Sequence, residues 1–208
     1  MKISVLGAGA IGTMLGGLIR DNDPTCEVVL LGRGPHIQTI RDSGRVQLQG
    51  PWPDRDVPII GTDDPADIAG SDMVLVTVKS QATAEAISAA APYLGSAIVV
   101  SVQNGFNDDA LLQHVDEKHL VMGITATNVT VPQPGTASLQ FNGTIVLGPN
   151  AQGTNAASAT AATKTLEKTG FRVFEESNVE GVRYNKLAIN SPGYAASLSQ
   201  SNFITEAV

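Results

Sequence analysis

The sequence predicts an α/β fold built on a doubly wound parallel sheet. Short apolar runs alternate with helix-like segments along most of the chain. The runs are continuously apolar, which is typical of strands buried on both faces, and strands that alternate with helices are typical of right-handed crossovers in a parallel sheet. Directly behind the first run stands a glycine-rich turn, Gly7-Ala-Gly-Ala-Ile-Gly12, which leads into a helix-like segment.

The main strands and helices follow from this alternation. The predicted parallel strands are residues 3–6, 27–31, 73–78, 98–102 and 120–123. The helices predicted between them are residues 11–20, 34–42, 82–91 and 108–115. Two further short strands, 46–49 and 57–61, flank a proline-rich turn at residues 51–53.

The chain changes character at residue 125, where an antiparallel meander is predicted over residues 125–148. The turn sequences Pro132-Gln-Pro-Gly135 and Asn142-Gly143 delimit two strand-like runs, 137–141 and 144–147. Such turn residues between β-rich runs are typical of hairpins. The sequence therefore predicts an antiparallel hairpin extension of the parallel sheet.

The last part of the chain predicts two helices with a strand between them. An alanine-rich helix covers residues 155–169 and ends at Gly170, a residue type that commonly ends helices, and a strand follows over 171–174. The second helix covers residues 179–190. We predict that it breaks at Pro192-Gly193, because proline removes a helical hydrogen bond and clashes with the preceding turn.

The glycine-rich turn has the residues and the context of a dinucleotide-binding fingerprint. Gly7 permits a tight turn after the strand, Gly9 lets the backbone approach a pyrophosphate, and Gly12 lets the helix pack closely on the sheet. Free N–H groups at the helix N-terminus suit phosphate oxygens. The predicted cofactor-binding residues of this turn are Gly7, Ala8, Gly9, Ala10, Ile11 and Gly12.

Arg33 predicts which dinucleotide this turn binds. It stands at the end of the second strand, where an acidic residue would accept the ribose 2′-hydroxyl of NAD. A guanidinium suits the 2′-phosphate of NADP, which a carboxylate would repel. The sequence therefore predicts NADP(H) as the cofactor; the alternative for Arg33 is a solvated surface arginine.

Two polar residues follow neighbouring strands of the predicted sheet. Lys79 follows strand 73–78 and Asn104 follows strand 98–102. Ligands of such sheets bind outside the carboxyl ends of the strands, so Lys79 and Asn104 are expected at the cofactor crevice. Asn104-Gly105 is also a common turn dipeptide, and that alternative stays open.

Together with Lys186-Leu-Ala-Ile-Asn190, these motifs give the chain a resemblance to the ketopantoate reductase (2-dehydropantoate 2-reductase) family. The resemblance covers essentially the whole chain in order. It implies a Rossmann-type, NADP-binding domain over residues 1–177 and the beginning of a helical substrate and dimerisation domain over residues 178–208. It also implies NADPH-dependent reduction of a 2-keto acid, 2-dehydropantoate, to pantoate in pantothenate and coenzyme A synthesis.

The resemblance implies a role for each residue of these motifs. Lys186 would bind the substrate and protonate its carbonyl as the general acid, and Asn190, on the same helix face, would also bind the substrate. Asn104 would contact the nicotinamide ribose and the substrate. Lys79 would lie beside the cofactor, and the backbone near Val129 would contact NADP.

Two departures from the family pattern keep other functions open. The second substrate asparagine of the family is here Tyr194, and the sequence ends at Val208, before the serine and the glutamate that the family's helical domain contributes. The chain could instead be a non-catalytic NADP-binding module, a degenerate or truncated homologue without a complete substrate site. Another 2-keto or 3-hydroxy acid dehydrogenase on the same fold is a third possibility.

Composition and charge argue against several further classes. The net charge of -7 argues against a nucleic-acid partner. No apolar stretch is long enough to span a membrane and no signal sequence precedes the first strand, so we expect a cytoplasmic protein. One cysteine, Cys26, and three unclustered histidines, His36, His114 and His119, predict no metal site. Apolar surface on residues 179–208 predicts a homo-oligomer.

Overall fold

The apolar strands form a parallel-dominated sheet at the centre of the computed structural model, which describes residues 1–199. The strands are β1 (Lys2–Leu6), β2 (Glu27–Leu31), β3 (Arg45–Gln49), β4 (Arg55–Pro58), β5 (Ile60–Thr62), β6 (Met73–Val76), β7 (Ile98–Ser101), β8 (Leu120–Thr125), β9 (Asn128–Thr130), β10 (Thr136–Phe141), β11 (Thr144–Gly148) and β12 (Arg172–Glu175). The helices are α1 (Ala10–Asn22), α2 (Pro35–Ser43), α3 (Thr83–Leu94), α4 (Asp108–Leu112), α5 (Ala156–Glu167) and α6 (Val179–Ser199).

The central sheet has eight strands in the order β12-β11-β8-β7-β6-β1-β2-β5. All neighbouring pairs are parallel except β8 and β11. The order of the strands reverses at β1, which lies between β2 and β6. This is the topological switch point of a doubly wound sheet, where the carboxyl ends of the strands leave a crevice. The predicted Rossmann-like α/β fold is confirmed.

Both faces of the central sheet are buried, which explains the continuous apolar runs. Ile3 and Val5 of β1 belong to the core on the α1 side, whereas Leu6 packs on the opposite face in the core that α3 covers. The same division separates Leu75 from Val76 in β6. The inner strands β1, β2, β6, β7 and β8 thus contribute alternate residues to two cores, and the two faces fix their positions in the sheet.

A second sheet of four strands, β4-β3-β10-β9, covers the outer side of α1. Helix α1 is therefore enclosed between two sheets, and all of its residues from Gly12 to Ile19 are buried. Two adjacent glycines make the close packing possible. A Cβ on Gly16 would lie 2.7 Å from the side chain of Leu30 in β2, and a Cβ on Gly17 would lie 2.9 Å from that of Leu48 in β3.

The predicted hairpin between residues 137–141 and 144–147 is wrong. The first turn is confirmed, since β9 and β10 pair antiparallel, but β10 lies in the four-stranded sheet and β11 lies in the central sheet. Gly143 lacks the positive φ of a type I′ hairpin turn, and a Cβ there would overlap the backbone of Ala126. Asn142-Gly143 is thus a crossing between sheets. The predicted strand 57–61 divides in the same way, into β4 and β5.

The predicted helix break at Pro192-Gly193 is also wrong, because α6 continues to Ser199. Pro192 has no N–H to donate to the carbonyl of Ala188, but the hydroxyl of Ser191 donates to that carbonyl at 2.8 Å. The carbonyl is therefore satisfied despite the proline. Tyr194 lies within α6, but its side chain is outside the described part of the structure, as are residues 200–208. The division into domains 1–177 and 178–208 stays a prediction.

The start of α6 carries several exposed apolar side chains. Tyr184, Leu187 and Ile189 are exposed, Ile189 to 72%. The predicted homo-oligomer is not tested by these positions alone and stays a prediction. Within residues 1–199, no helix has the length and apolar character needed to cross a membrane.

Candidate functional site

The glycine-rich turn between β1 and α1 leaves no room for a Cβ at two positions. Gly7 has φ of 113°, and a Cβ on it would overlap Val78, which follows β6. A Cβ on Gly12 would overlap the carbonyl of Gly7 and the hydroxyl of Thr77. That hydroxyl donates to the Gly7 carbonyl at 2.7 Å, so the turn is held against the end of the neighbouring strand. These contacts fix the direction in which α1 leaves the sheet.

Gly9 differs from its two neighbours in the motif, because it faces open space. No atom lies within 4 Å of the position that its Cβ would take. Gly9 is also the N-cap of α1, and no described side chain caps the helix there. The first N–H groups of α1 are therefore not capped by a side chain. Uncapped N–H groups beside glycine are typical of helix N-termini that bind phosphate groups.

A cavity of about 550 Å³ opens beside this turn, and we call it the glycine-turn cavity. The turn residues Gly7, Ala8 and Gly9 line one side, and Arg33 and Lys79 are also in its wall. The space before Gly9 suits a pyrophosphate and the two cations suit its charge. The residues therefore fit a nicotinamide dinucleotide, held by the turn backbone and by Arg33.

Arg33 already has a partner in this cavity. Its Nη1 lies 2.7 Å from Oε1 of Glu85, a residue in the first turn of α3. Both side chains are mainly exposed, Arg33 to 75% and Glu85 to 68%. Such an exposed ion pair is weak, so a competing anion can displace the carboxylate at little cost.

A second cleft of about 400 Å³ adjoins the first, and we call it the lysine cleft after Lys186. Ile11, Asn104 and Lys186 line it. The residues that follow β6, from Thr77 to Lys79, line both the lysine cleft and the glycine-turn cavity. A ligand that extends from the glycine-rich turn past Lys79 therefore reaches Asn104 and Lys186.

Lys186 is held in the lysine cleft by a backbone contact. Its Nζ donates to the carbonyl of Thr125 at the end of β8, at 2.6 Å. An ammonium group has three donors, so two remain for a ligand in the cleft. Burial lowers the pKa of Lys186 from its usual value, because a partly desolvated ammonium is less favourable than the neutral amine. Lys186 can thus both stabilise a developing negative charge and release a proton.

The edge of the sheet beneath the lysine cleft is fixed by side-chain hydrogen bonds. The amide of Gln103 donates to the carbonyl of Val78 at 2.6 Å and to the hydroxyl of Thr83 at 2.8 Å. Ser80 donates to the carbonyl of Asn104 at 3.0 Å. The segments after β6 and β7 are therefore tied together, and the side chain of Asn104 stays exposed at the cleft.

A buried arginine one turn before Lys186 connects α6 to the loop that carries Asn104. Arg183 is 6% exposed and forms a bidentate ion pair with Asp108, with Nη1 at 2.8 Å from Oδ1. It also donates to the carbonyl of Gly105 at 3.3 Å and lies 4.4 Å above the ring of Phe106. Arg183 thus fixes the position of α6 relative to the loop after β7.

The structure brings together most, but not all, of the residues that the sequence predicts. The glycine-turn cavity is lined by Gly7, Ala8, Gly9, Arg33 and Lys79. The lysine cleft is lined by Ile11, Asn104 and Lys186, and Lys79 lines this cleft as well. Ala10 and Gly12 lie in the first turn of α1.

Ala10 and Gly12 line neither space, and two further predicted residues also lie outside them. Asn190 is one turn beyond Lys186 on α6, and Val129 is 8% exposed and pairs with Leu139 in the four-stranded sheet. Neither residue lines the glycine-turn cavity or the lysine cleft. Thr77, Glu85, Thr125 and Thr127 were not among the predicted residues. Thr77 and Thr127 follow β6 and β8, so they had the same positional signal as Lys79. No group of metal-ligating side chains is present in the described residues.

Comparison with known proteins gives one consistent set of similarities. Residues 3–152 match the family described as ketopantoate reductase PanE/ApbA. The chain is 28% identical to the 2-dehydropantoate 2-reductase of Pyrococcus horikoshii over 193 residues, which cover 92% of this chain and 61% of that protein. The chain therefore spans about three-fifths of the length of this curated relative.

Solved structures give the same result for the fold. The PanE/ApbA family ketopantoate reductase from Ralstonia eutropha superposes with a TM-score of 0.81 at 29% identity, over 92% of this chain and 62% of that one. D-mandelate dehydrogenase with NADH and anilino(oxo)acetate superposes with a TM-score of 0.82 at 21% identity, over 91% of this chain and 61% of that one, and this likeness concerns the fold.

Proposed function

The chain belongs to the ketopantoate reductase family, and on that premise we propose that the protein reduces a 2-keto acid, 2-dehydropantoate, with NADPH. The observation that carries the proposal is the junction between the two spaces at the residues that follow β6. The glycine-turn cavity fits a dinucleotide, and the adjoining lysine cleft holds a half-buried lysine beside an exposed asparagine side chain. A reductase of this kind needs a hydride donor at the carbon and a proton donor at the oxygen of the same carbonyl group.

The residues of the chain divide the work between binding and proton transfer. The turn backbone and the N-terminus of α1 bind the phosphates, and Arg33 binds the 2′-phosphate. When bound, the nicotinamide supplies a hydride to the keto carbon. Lys186 stabilises the negative charge that develops on the keto oxygen and then donates its proton to that oxygen. Asn104 hydrogen-bonds the nicotinamide ribose and the substrate, Lys79 lies beside the cofactor, and Asn190 binds the substrate.

The Thr125 carbonyl contributes to the reaction by orienting Lys186. It accepts one hydrogen bond from the ammonium, with Nζ 2.6 Å from the carbonyl oxygen, so the two remaining N–H bonds point away from β8. Partial burial lowers the pKa of Lys186 and therefore makes the proton easier to transfer. This geometry supports a keto substrate, because an ammonium so placed stabilises the negative charge that develops on a carbonyl oxygen as it becomes an alkoxide.

The decisive experiment follows NADPH oxidation with 2-dehydropantoate in the wild type and in Lys186→Ala. We expect kcat to fall by about 10²- to 10⁴-fold, the usual contribution of a general acid. The matched control is Lys164→Ala, which removes an exposed lysine of α5 and leaves turnover unchanged. NADPH binding, followed by fluorescence titration, is retained in both variants because Lys186 is not in the wall of the glycine-turn cavity.

The pH dependence gives an independent check on Lys186. The acid must be protonated to act, so kcat falls as pH rises through the pKa of Lys186, and burial places that pKa below the usual 10.5. Lys186→Arg removes this alkaline decrease, since arginine does not titrate there. Undiminished turnover in Lys186→Ala would exclude Lys186 as the acid. NADPH binding without turnover of 2-dehydropantoate by the wild type would overturn the proposed reaction.

A further inference from the structure

The charged side chains in the wall of the glycine-turn cavity sum to zero, although the proposed cofactor carries a 2′-phosphate in addition to its pyrophosphate. Its charged lining residues are two cations, Arg33 and Lys79, and two carboxylates, Asp63 and Glu85. NADP carries a 2′-phosphate that NAD lacks, so a wall selective for NADP gains from cations that are free to bind it. Here the cation best placed by sequence to recognise that phosphate is engaged by a carboxylate.

The two carboxylates differ in their partners. Glu85 lies 2.7 Å from Arg33, whereas Asp63 forms an ion pair with Arg41 of α2. Asp63 therefore adds negative charge to the cavity without occupying Arg33. Glu85 adds negative charge and also occupies the guanidinium of Arg33. Its carboxylate therefore lies where the 2′-phosphate of NADP would have to bind Arg33.

We propose that Glu85 sets the cofactor selectivity of this protein by competing with the 2′-phosphate of NADP for Arg33. The inference rests on the proposed function and deepens it. With NADH the Arg33–Glu85 pair stays intact. With NADPH the guanidinium turns from Glu85 to the phosphate, and the carboxylate is left beside a like charge. The preference for NADPH is therefore smaller than Arg33 alone would produce.

The exchange is possible because neither charge is buried. The side chains of Arg33 and Glu85 are 75% and 68% exposed, so water solvates the released carboxylate. Glu85 also lies in the first turn of α3, where the helix dipole favours a negative charge with or without Arg33. This second property supplies the competing explanation, in which Glu85 stabilises only the helix N-terminus and has no effect on the cofactor.

Titration of NADPH and NADH separates the two explanations without any measurement of turnover. We expect Glu85→Gln to tighten NADPH binding by about three- to tenfold, because it removes the competitor and a repelling charge, and to change NADH binding by less than about twofold. In an Arg33→Gln background we expect Glu85→Gln to increase NADPH affinity less, because the guanidinium for which the carboxylate and the 2′-phosphate compete is absent. High salt reduces the gain, since exposed charges are screened.

Asp63→Asn is the matched control within the same cavity. It removes one carboxylate but leaves the Arg33–Glu85 pair, so we expect a smaller gain in NADPH affinity that persists in the Arg33→Gln background. Equal tightening of NADPH by Glu85→Gln and Asp63→Asn would show a general charge effect and overturn the proposal. An unchanged ratio of NADPH to NADH affinity in Glu85→Gln would also overturn it.

The results also separate this proposal from the proposed reaction. If the wild type binds NADPH and Glu85→Gln leaves the selectivity unchanged, only the role of Glu85 is overturned. If Glu85→Gln shifts the selectivity but the wild type does not turn over 2-dehydropantoate, the competition is supported and the reaction fails. A folded wild type that binds neither NADPH nor NADH would overturn both.

Discussion

The glycine-turn cavity and the lysine cleft adjoin at the residues after β6, but they are constructed differently. One wall of the cavity is backbone from a single continuous segment, the turn between β1 and α1, whose glycines pack against the residues that follow β6. The cleft is formed by side chains from three distant parts of the chain, Asn104, Thr127 and Lys186. The proposed cofactor site therefore requires the absence of Cβ atoms in this turn, whereas the proposed reaction depends on how α6 is held against the sheet.

The largest effect that tests this difference is expected at Arg183, which holds α6 in place. Arg183→Met leaves Asp108 without its partner and removes the contact with the Gly105 carbonyl. Loss of one partner of a buried ion pair destabilises by about 3 kcal/mol, at the low end of the usual range because Asp108 is 32% exposed. Chemical unfolding measures the loss, and kcat falls further than NADPH affinity.

Arg172→Met is the control for this prediction. Arg172 is an exposed arginine of the edge strand β12, so its replacement is expected to change the free energy of unfolding by less than about 0.5 kcal/mol. If Arg183→Met kept the wild-type stability and kcat, contacts other than this ion pair would hold α6, and the difference drawn between the cavity and the cleft would be contradicted.

The next largest effect on stability is expected at the glycines of the turn, where Gly12 is in close contact with protein atoms and Gly9 faces open space. Gly12→Ala places a methyl group against the Gly7 carbonyl and the Thr77 hydroxyl, and overpacking of this kind costs about 1–3 kcal/mol. Gly9→Ala meets no protein atom within 4 Å, so the cost to stability is expected below about 1 kcal/mol. Thermal unfolding compares the two variants.

Cofactor titration then separates binding from folding at the same two positions. Gly9→Ala is expected to stay folded and to lose NADPH affinity, because its methyl group enters the space that suits the pyrophosphate. Full NADPH affinity in a folded Gly9→Ala variant would contradict the assignment of that space. A wild-type stability of Gly12→Ala would contradict the close contact between the turn and β6.

The smallest effect concerns His36, which joins the glycine-rich region to the four-stranded sheet. Its Nδ1 accepts from the N–H of Gly135 at 3.1 Å, and its Nε2 lies 3.0 Å from the hydroxyl of Thr13. Burial lowers the pKa of His36 below its usual 6.5, so the unfolded chain binds a proton at a higher pH than the folded chain. Stability is therefore complete above about pH 6.5 and decreases as the pH falls below it.

Unfolding at several pH values tests this dependence. In His36→Gln the decrease in stability below pH 6.5 is expected to be smaller than in the wild type, whereas the control His114→Gln, at an exposed position, keeps the wild-type slope. An identical slope in His36→Gln would show that other groups cause the acid sensitivity.

The difference between the two spaces also explains what could be predicted from the sequence. The glycine-rich turn of the cavity was predictable because its residues are neighbours in the chain and each glycine has one physical task. Buried parallel strands were predictable from their continuous apolar character. The partners that complete the site were not: Glu85 meets Arg33 and Thr125 meets Lys186 only after the strands are ordered. Lys186 itself was found through its family motif and not through its spacing.

The two errors in the predicted fold have the same origin. Asn142-Gly143 has the composition of a hairpin turn, but the strands on either side of it lie in different sheets. β10 pairs with β3 and β9, and β11 pairs with β8 and β12. Pro192 usually ends a helix, but here Ser191 replaces the missing hydrogen bond. In both cases a local preference was overridden by partners that the local sequence does not reveal.

The enclosure of α1 between the two sheets has a consequence for how the protein responds to its cofactor. No residue of the four-stranded sheet lines the glycine-turn cavity or the lysine cleft, but this sheet packs on the helix whose first turn faces the cavity. A ligand bound only by the folded state stabilises everything that must unfold with its site. The cofactor is therefore linked to the whole double-sheet assembly, and the distant sheet in turn contributes to its affinity.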